Sequence, residues 1–195
     1  MKHFNSIFLI NTLDEVTKFR LMNSFLVAII IGVLGPAIIT LKGTLMLPWV
    51  IAVFGILISL SVKSNRYITK LSISTVFRMS VIVNILLLLS TSLYFWNPLL
   101  MVYTDSIIMV IETAVMSAYS IQLNNYITER YPDSMHQFQI LRNNIWADGG
   151  LIGLVLVTIV MYFFHITGAI YLFITVSSLF SIWLLTHWNF FKGRE

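Results

Sequence analysis

The sequence predicts an all-α membrane protein, a six-transmembrane-helix bundle with its N and C termini cytoplasmic. Of its 195 residues, 58% are hydrophobic and only 10% are charged, and the mean hydropathy is +0.88. Soluble domains carry about a quarter charged residues, so lipid is the solvent that fits this composition. The apolar residues form continuous runs and do not alternate as in the strands of a membrane barrel, which favours helices.

Six segments are apolar and long enough to cross a bilayer, which takes roughly 20 residues of helix. They are residues 21–41, 44–62, 75–96, 99–122, 144–165 and 167–187. The turns at 41–44, 96–98 and 165–168 contain glycine or proline, which end helices readily.

These three turns lie on one side of the predicted membrane. Of the 12 Lys and Arg residues, only Lys42 falls on that side. Cytoplasmic loops carry the basic excess, so both termini are predicted to be cytoplasmic. We divide the chain into a leader, residues 1–20, a transmembrane domain, residues 21–188, and a tail, residues 189–195. The expected location is the plasma membrane of a bacterium, as a multi-pass protein.

The leader has two interpretations that the sequence leaves open. It mixes apolar residues with Lys2, Lys18 and Arg20. Such a segment is either a short helix on the inner membrane surface, held by these basic residues against anionic lipid, or a frayed terminus.

Polar residues within the predicted spans mark a candidate proton or substrate pathway. Asp105, Glu112 and Tyr119 recur every seven residues and therefore share one stripe of the fourth helix. Glu112 falls deep in the bilayer, where an ionisable group is either functional or a bond to a neighbouring helix. The remaining candidates are Asn84 in the third segment, Arg142 just before the fifth, and Asn144 and Asp148 within the fifth.

The first segment contains a candidate hinge formed by Gly32, Gly35 and Pro36. A proline within a spanning helix frees a backbone carbonyl and bends the helix. Such breaks occur at transporter hinges and also as simple packing kinks, and both interpretations remain open.

Several classes of function are not supported by the residues. The chain has no cysteine, and its four histidines are scattered, so no metal site is predicted. No serine elbow, phosphate loop or zinc-protease motif is present, so we predict neither an enzyme nor a cofactor. The basic residues flank apolar segments and form no patch for nucleic acid. The expected partner is the lipid bilayer.

One stretch of the chain carries a family resemblance. An acidic-proline loop, residues 129–133, is followed by Arg142-Asn143 and by the glycine-rich run 149–153. This stretch resembles the major facilitator superfamily, in which the fourth helix ends in such a loop and the fifth opens with arginine, asparagine and glycines. Six helices with both ends inside is the layout of one half, of the N-terminal type, of such a transporter. The family's acidic and glycine-rich motif between helices two and three is absent here.

Two functions follow as expectations. The first is a small secondary transporter or half-transporter, working as a homodimer or with another membrane subunit. It would move a small solute of lipophilic or weakly polar character, with Glu112 titrating if transport is proton-coupled. The alternative is a non-transporting accessory or immunity-type subunit that binds a protein partner. Size alone also allows a substrate-capture subunit of a vitamin importer.

Transport predicts that Asp105, Glu112, Asn84 and Asn144 face one cavity, whereas the accessory role predicts that they pair off within a dry bundle.

Overall fold

The computed structural model describes residues 13–45, 48–132 and 135–192, and within these ranges it is helical and contains no strand. The predicted all-helical architecture is confirmed. Most of the predicted leader, residues 46 and 47 of the second predicted span, and residues 193–195 of the tail lie outside the described ranges. The described helices are α1 Glu15–Leu45, α2 Pro48–Ile68, α3 Ile73–Ser92, α4 Pro98–Arg130 and α5 Met135–Thr186, with a short 3₁₀ helix Leu93–Phe95 after α3.

Four helical stretches of the described chain are long and apolar enough to cross a membrane. They are Glu15–Val33, Ile73–Phe95, Pro98–Arg130 and His136–Thr186. These apolar helices fit a membrane protein. The helix α1 begins at Glu15, so it includes the last residues of the predicted leader.

The helix α5 is interrupted at His165, whose backbone angles (φ 56°, ψ −157°) are not helical. Arg142 and Leu184 stand on opposite sides of this break and would be about 60 Å apart in one straight helix. They nevertheless line the same cavity. The chain therefore doubles back near His165, within the turn predicted at 165–168. We call residues 135–164 the first arm of α5 and residues 166–186 the second arm.

Contacts between connections define two ends of the bundle. At one end, Tyr94 Oη lies 3.4 Å from Thr167 Oγ1, so the α3–α4 connection meets the turn of α5; we call it the turn end. At the other, the Gln122 side chain donates to Thr69 O at 3.1 Å, which joins α4 to the α2–α3 connection. The α4–α5 connection and residues 187–192 also lie there, and we call it the basic end.

The close contact between α1 and the first arm of α5 depends on glycine. A Cβ on Gly149 would approach Phe25 O to 2.6 Å, and a Cβ on Gly153 would collide with Ile29 O. On α1, a Cβ on Gly32 would approach Gly150 O to 2.5 Å. Small residues four apart let two helix backbones touch, which is a common way to join helices in a membrane.

This contact bears on the candidate hinge. Gly32 has a packing role, because it is buried against the first arm of α5. The helix α1 runs through Gly35 and Pro36 and ends only at Leu45. A hinge at Gly35 and Pro36 stays a prediction.

Aromatic side chains fill the basic end around Phe19. Its ring stacks on Trp183 with 4.9 Å and on Phe190 with 4.6 Å between centroids. Phe191 meets Phe19 edge-on and is only 2% exposed. The first residues of the predicted tail are therefore packed onto the bundle, because these large apolar rings are better buried than hydrated.

Asp14 lies immediately before α1 and joins it to the end of α4. Its Oδ1 accepts the Thr17 backbone N–H at 2.9 Å, which caps the helix. Its Oδ2 accepts from Tyr126 Oη at 3.0 Å and lies 3.2 Å from Arg130 Nε. Arg130, which the sequence places in the acidic-proline loop 129–133, is instead the last residue of α4 and pairs with Asp14.

The pKa of Asp14 gives this clamp a pH dependence. Burial by itself raises that pKa. Hydrogen bonds with Thr17 and Tyr126 and the charge of Arg130 outweigh burial and hold the pKa below its ordinary value of 3.8. Because the folded-state pKa is the lower one, ionised Asp14 stabilises the fold above pH 3.8. This contribution is lost as the pH falls further.

Substitutions at Asp14 separate its cap from its charge. Asp14→Asn keeps a capping oxygen and removes the charge, whereas Asp14→Ala removes both. We expect the alanine variant to be the less stable of the two by about 1 kcal/mol, the usual value of an N-cap. The stability difference between the parent chain and Asp14→Asn should shrink as the pH falls below 3.8. Thermal unfolding in detergent across this pH range measures both effects, and a pH-independent difference would contradict the assignment.

Candidate functional site

A cavity of about 580 Å³ opens between α1, α3, α4 and both arms of α5. This volume lies within the range of about 300–1,000 Å³ that is typical of small-molecule sites. Its lining residues are Arg20, Asn23, Ser24, Val27, Ile30, Ile31, Ser80, Asn84, Leu87, Met109, Glu112, Thr113, Met116, Ser117, Ser120, Arg142, Asn143, Trp146, Phe180 and Leu184.

The cavity runs from the basic end into the middle of the bundle. Along α4 its lining extends from Ser120 back to Met109, which is about 16 Å of helix. Asn143 and Trp146, which line it on the first arm of α5, are exposed. Ile31 on α1, which also lines the cavity, is exposed as well, so the cavity is open along this side of the bundle from the basic end. Glu112 lies further from the basic end than Ser120 does.

Arg20 stands on the wall of this cavity and is only 6% exposed. Its Nη2 donates to Ser120 Oγ at 2.6 Å, which links α1 to α4. Its Nε is buried and has no hydrogen-bond partner among the described residues. The interpretation of Arg20 as a lipid anchor in the leader is wrong, because α1 carries this side chain into the bundle.

Arg142 is the second cation of the cavity. Its Nη1 donates to Asn124 Oδ1 at 3.2 Å and its Nη2 to Asn143 Oδ1 at 3.4 Å. Like Arg20, it lines the cavity wall, so two guanidinium groups border the same space. The sequence candidates include Arg142 but not Arg20, so this arginine pair is seen only in the structure.

Glu112 and Asn84 line the cavity on α4 and α3. Asn84 Oδ1 accepts from Ser181 Oγ at 2.8 Å, which fixes the amide against the second arm of α5. Glu112 is half-buried, and no hydrogen bond joins its carboxylate to another part of the described chain. This carboxylate is thus placed to meet a solute or water within the bundle.

The other predicted pathway residues lie away from the cavity. Asp105 is fully buried, with Oδ2 3.1 Å from Thr91 Oγ1, so it contacts α3. Tyr119 is 1% exposed and packs among aromatic rings at the basic end. Asn144 and Asp148 are exposed. The predicted pathway residues therefore do not behave as one group. Glu112, Asn84 and Arg142 share the cavity, whereas Asp105 pairs within the bundle.

Helix geometry explains this division. Asn144 follows Arg142 by two positions, which is about 200° around the helix and places it on another face. Asp105 shares the stripe of Glu112 but lies about 10 Å further along the axis. Sharing a stripe therefore does not place two residues in one cavity.

Several cavity residues were not among the sequence candidates: Arg20, Asn23, Ser24, Ser120 and Asn143. A signal for the first three exists, because positions i, i+3 and i+4 lie on one helix face. Because the first predicted span starts at residue 21, Arg20 is assigned to the leader, and the face that it shares with Asn23 and Ser24 is not apparent. Among the described residues, no group of His, Asp and Glu is arranged to hold a metal ion.

No protein-family model matches the chain, and neither a search of curated proteins nor one of solved structures finds a match.

Proposed function

We propose that this chain is a small secondary transporter of the bacterial plasma membrane, a six-helix unit that moves a small solute through the cavity described above. The observation that carries this proposal is the cavity itself. It has the volume of a solute site, it is walled by five helical segments, and it holds a carboxylate and two guanidinium groups inside an apolar bundle. Ionisable groups at such depth are costly and typically line a transport path.

The proposed topology has six crossings with both termini in the cytoplasm. The crossings are α1, α2, α3, α4 and the two arms of α5. The basic end then faces the cytoplasm, since eleven of the 12 Lys and Arg residues are assigned to that side by sequence. The exposed aromatic residues Trp96 and Tyr162 near the turn end suit the opposite membrane interface.

The proposed coupling group is Glu112. A carboxylate that faces a hydrated cavity can exchange protons with water while the rest of the helix remains in apolar surroundings. The charged groups of the neighbouring elements are Arg20 on α1 and Arg142 on α5, and Asp105 lies on α4 itself. Proton binding at Glu112 would change the net charge of the cavity, and this is the physical link to solute binding.

The resemblance to half of a major facilitator transporter supports a partner for this unit. Six helices would be one side of such a pathway, so we propose assembly as a homodimer or with a second membrane subunit. The accessory or immunity-type role is the alternative, and it needs no access to the cavity from the second side of the membrane.

Access to the cavity tests transport without a known cargo. Because the chain has no cysteine, Thr113→Cys introduces a single thiol into the cavity wall. In membrane vesicles of defined orientation, we expect a membrane-impermeant thiosulfonate to label this thiol from the cytoplasmic side and, more slowly, from the opposite side. Alternating access requires labelling from both sides.

Thr175→Cys is the matched control. Thr113 and Thr175 each donate to the carbonyl four residues earlier, but Thr175 is exposed on the outside of the bundle. The thiol at 175 should face lipid and resist the reagent from either side. Labelling of Thr113→Cys from one side only would favour the accessory role.

A further inference from the structure

We propose that the cavity binds a small organic monoanion, with Arg20 and Arg142 holding its acidic group and the apolar walls holding its body. This inference rests on the proposed function for its biological meaning, but it concerns equilibrium binding and is tested separately.

The first argument is the charge of the cavity. Arg20 and Arg142 bring two like charges to the wall of one partly buried space, and Glu112 is the only acid among the described residues that line it. Among the described residues, neither guanidinium forms a salt bridge. Uncompensated charges in a low-dielectric site are unfavourable. With Glu112 ionised, one further negative charge makes the site neutral, so the charge balance favours a monoanion.

The second argument is that some N–H donors of the two arginines have no acceptor among the described residues. A guanidinium carries five N–H donors in a planar fork that matches a carboxylate or phosphate. In the Arg20 fork, Nη2 donates to Ser120 Oγ, Nε is enclosed by the protein, and no described residue accepts a hydrogen bond from Nη1, which is the donor left for a ligand. The contacts of Arg142 are with the amide oxygens of Asn124 and Asn143, which hold its side chain and leave its charge uncompensated.

The third argument is the apolar lining beyond the arginines. Val27, Ile30, Leu87, Met109 and Phe180 line the cavity on α1, α3, α4 and the second arm of α5. Inorganic phosphate would leave this surface uncovered, whereas an anion with an aromatic or aliphatic body would cover it and gain from its burial. The proposed solute is thus amphipathic, whereas the sequence favours a lipophilic or weakly polar one.

Calorimetric titration of the full chain in phosphatidylcholine nanodiscs tests the proposal. The probes are benzoate, its neutral isostere benzamide, and inorganic phosphate. We expect benzoate to bind at least about tenfold more tightly than benzamide, the effect of a charge-assisted hydrogen bond. Phosphate, which lacks an apolar body, should bind more weakly than benzoate. Equal affinity for benzoate and benzamide would overturn the role of charge, and equal affinity for benzoate and phosphate would overturn that of the apolar walls.

The arginine assignment needs a variant and a matched control. Arg142→Gln should weaken benzoate binding about tenfold or more. Arg78→Gln should leave it unchanged, because Arg78 lies outside the cavity, where it contacts Asn189 and Trp188. If Arg142→Gln does not fold, Arg142→Lys keeps the charge but not the fork and should still weaken binding. Unchanged binding in a folded Arg142 variant would contradict the proposal.

A lipid headgroup is the other source of an anionic group at this site. Nanodiscs that contain phosphatidylglycerol separate the two sources. We expect benzoate to bind in both lipid mixtures; loss of binding in phosphatidylglycerol would assign the arginines to lipid and overturn a soluble ligand. If benzoate binds but Thr113→Cys is labelled from one side only, the anion site is supported and transport is rejected.

Discussion

Gly153→Ala should strongly destabilise the bundle, although it adds a single methyl group. The new Cβ would collide with Ile29 O and lie 3.0 Å from the Cα of Gly32. These atoms are backbone, so the clash cannot be relieved by a change of rotamer, and α1 would have to move away from the first arm of α5. Overpacking of this kind costs about 1–3 kcal/mol. The thermal unfolding midpoint of the purified chain in detergent measures it.

Gly150→Ala is the matched control for this prediction. It is the same chemical change on the same helix, but its Cβ would meet no atom within 4 Å. Alanine is the better helix former by about 1 kcal/mol, so this variant should be as stable as the parent chain or more stable. Equal destabilisation by the two substitutions would contradict the packing of α1 on α5.

The sequence predicted the helical class and the turn at 165–168 because both depend on local information. A run of apolar residues and a cluster of breakers need no tertiary context. The glycine-rich run 149–153 is likewise visible in the sequence. Its partner, Gly32, was assigned to a hinge instead, because a sequence does not tell which two helices touch.

The cavity was harder to predict, and Arg20 shows why. Hydropathy places a charged residue at the border of a span, where a lipid anchor is the common outcome. Its burial depends on Ser120, a residue 100 positions away that accepts its hydrogen bond. Asp105 and Glu112 show the same limit: one stripe on α4 carries both, and only the neighbouring helices decide which of them contacts Thr91 and which faces the cavity.

The second large effect concerns Glu112 and the direction of access to the cavity. In the structure Glu112 faces a cavity that is open toward the basic end. Removing an ionised carboxylate from water costs much free energy, whereas removing the protonated carboxyl group costs far less. Deprotonation should therefore favour the conformation that is open at the basic end, and protonation should permit closure on that side.

The most direct measurement of this claim is the pH dependence of labelling of Thr113→Cys from the two sides of the membrane. The ratio of the two rates cancels the intrinsic reactivity of the thiol. We predict that the ratio of cytoplasmic to opposite-side labelling rises with pH, that it loses this dependence in Glu112→Gln, and that it keeps it in Asp105→Asn. A ratio that does not change with pH, or one that changes equally in Glu112→Gln, would contradict a proton-coupled path through this cavity.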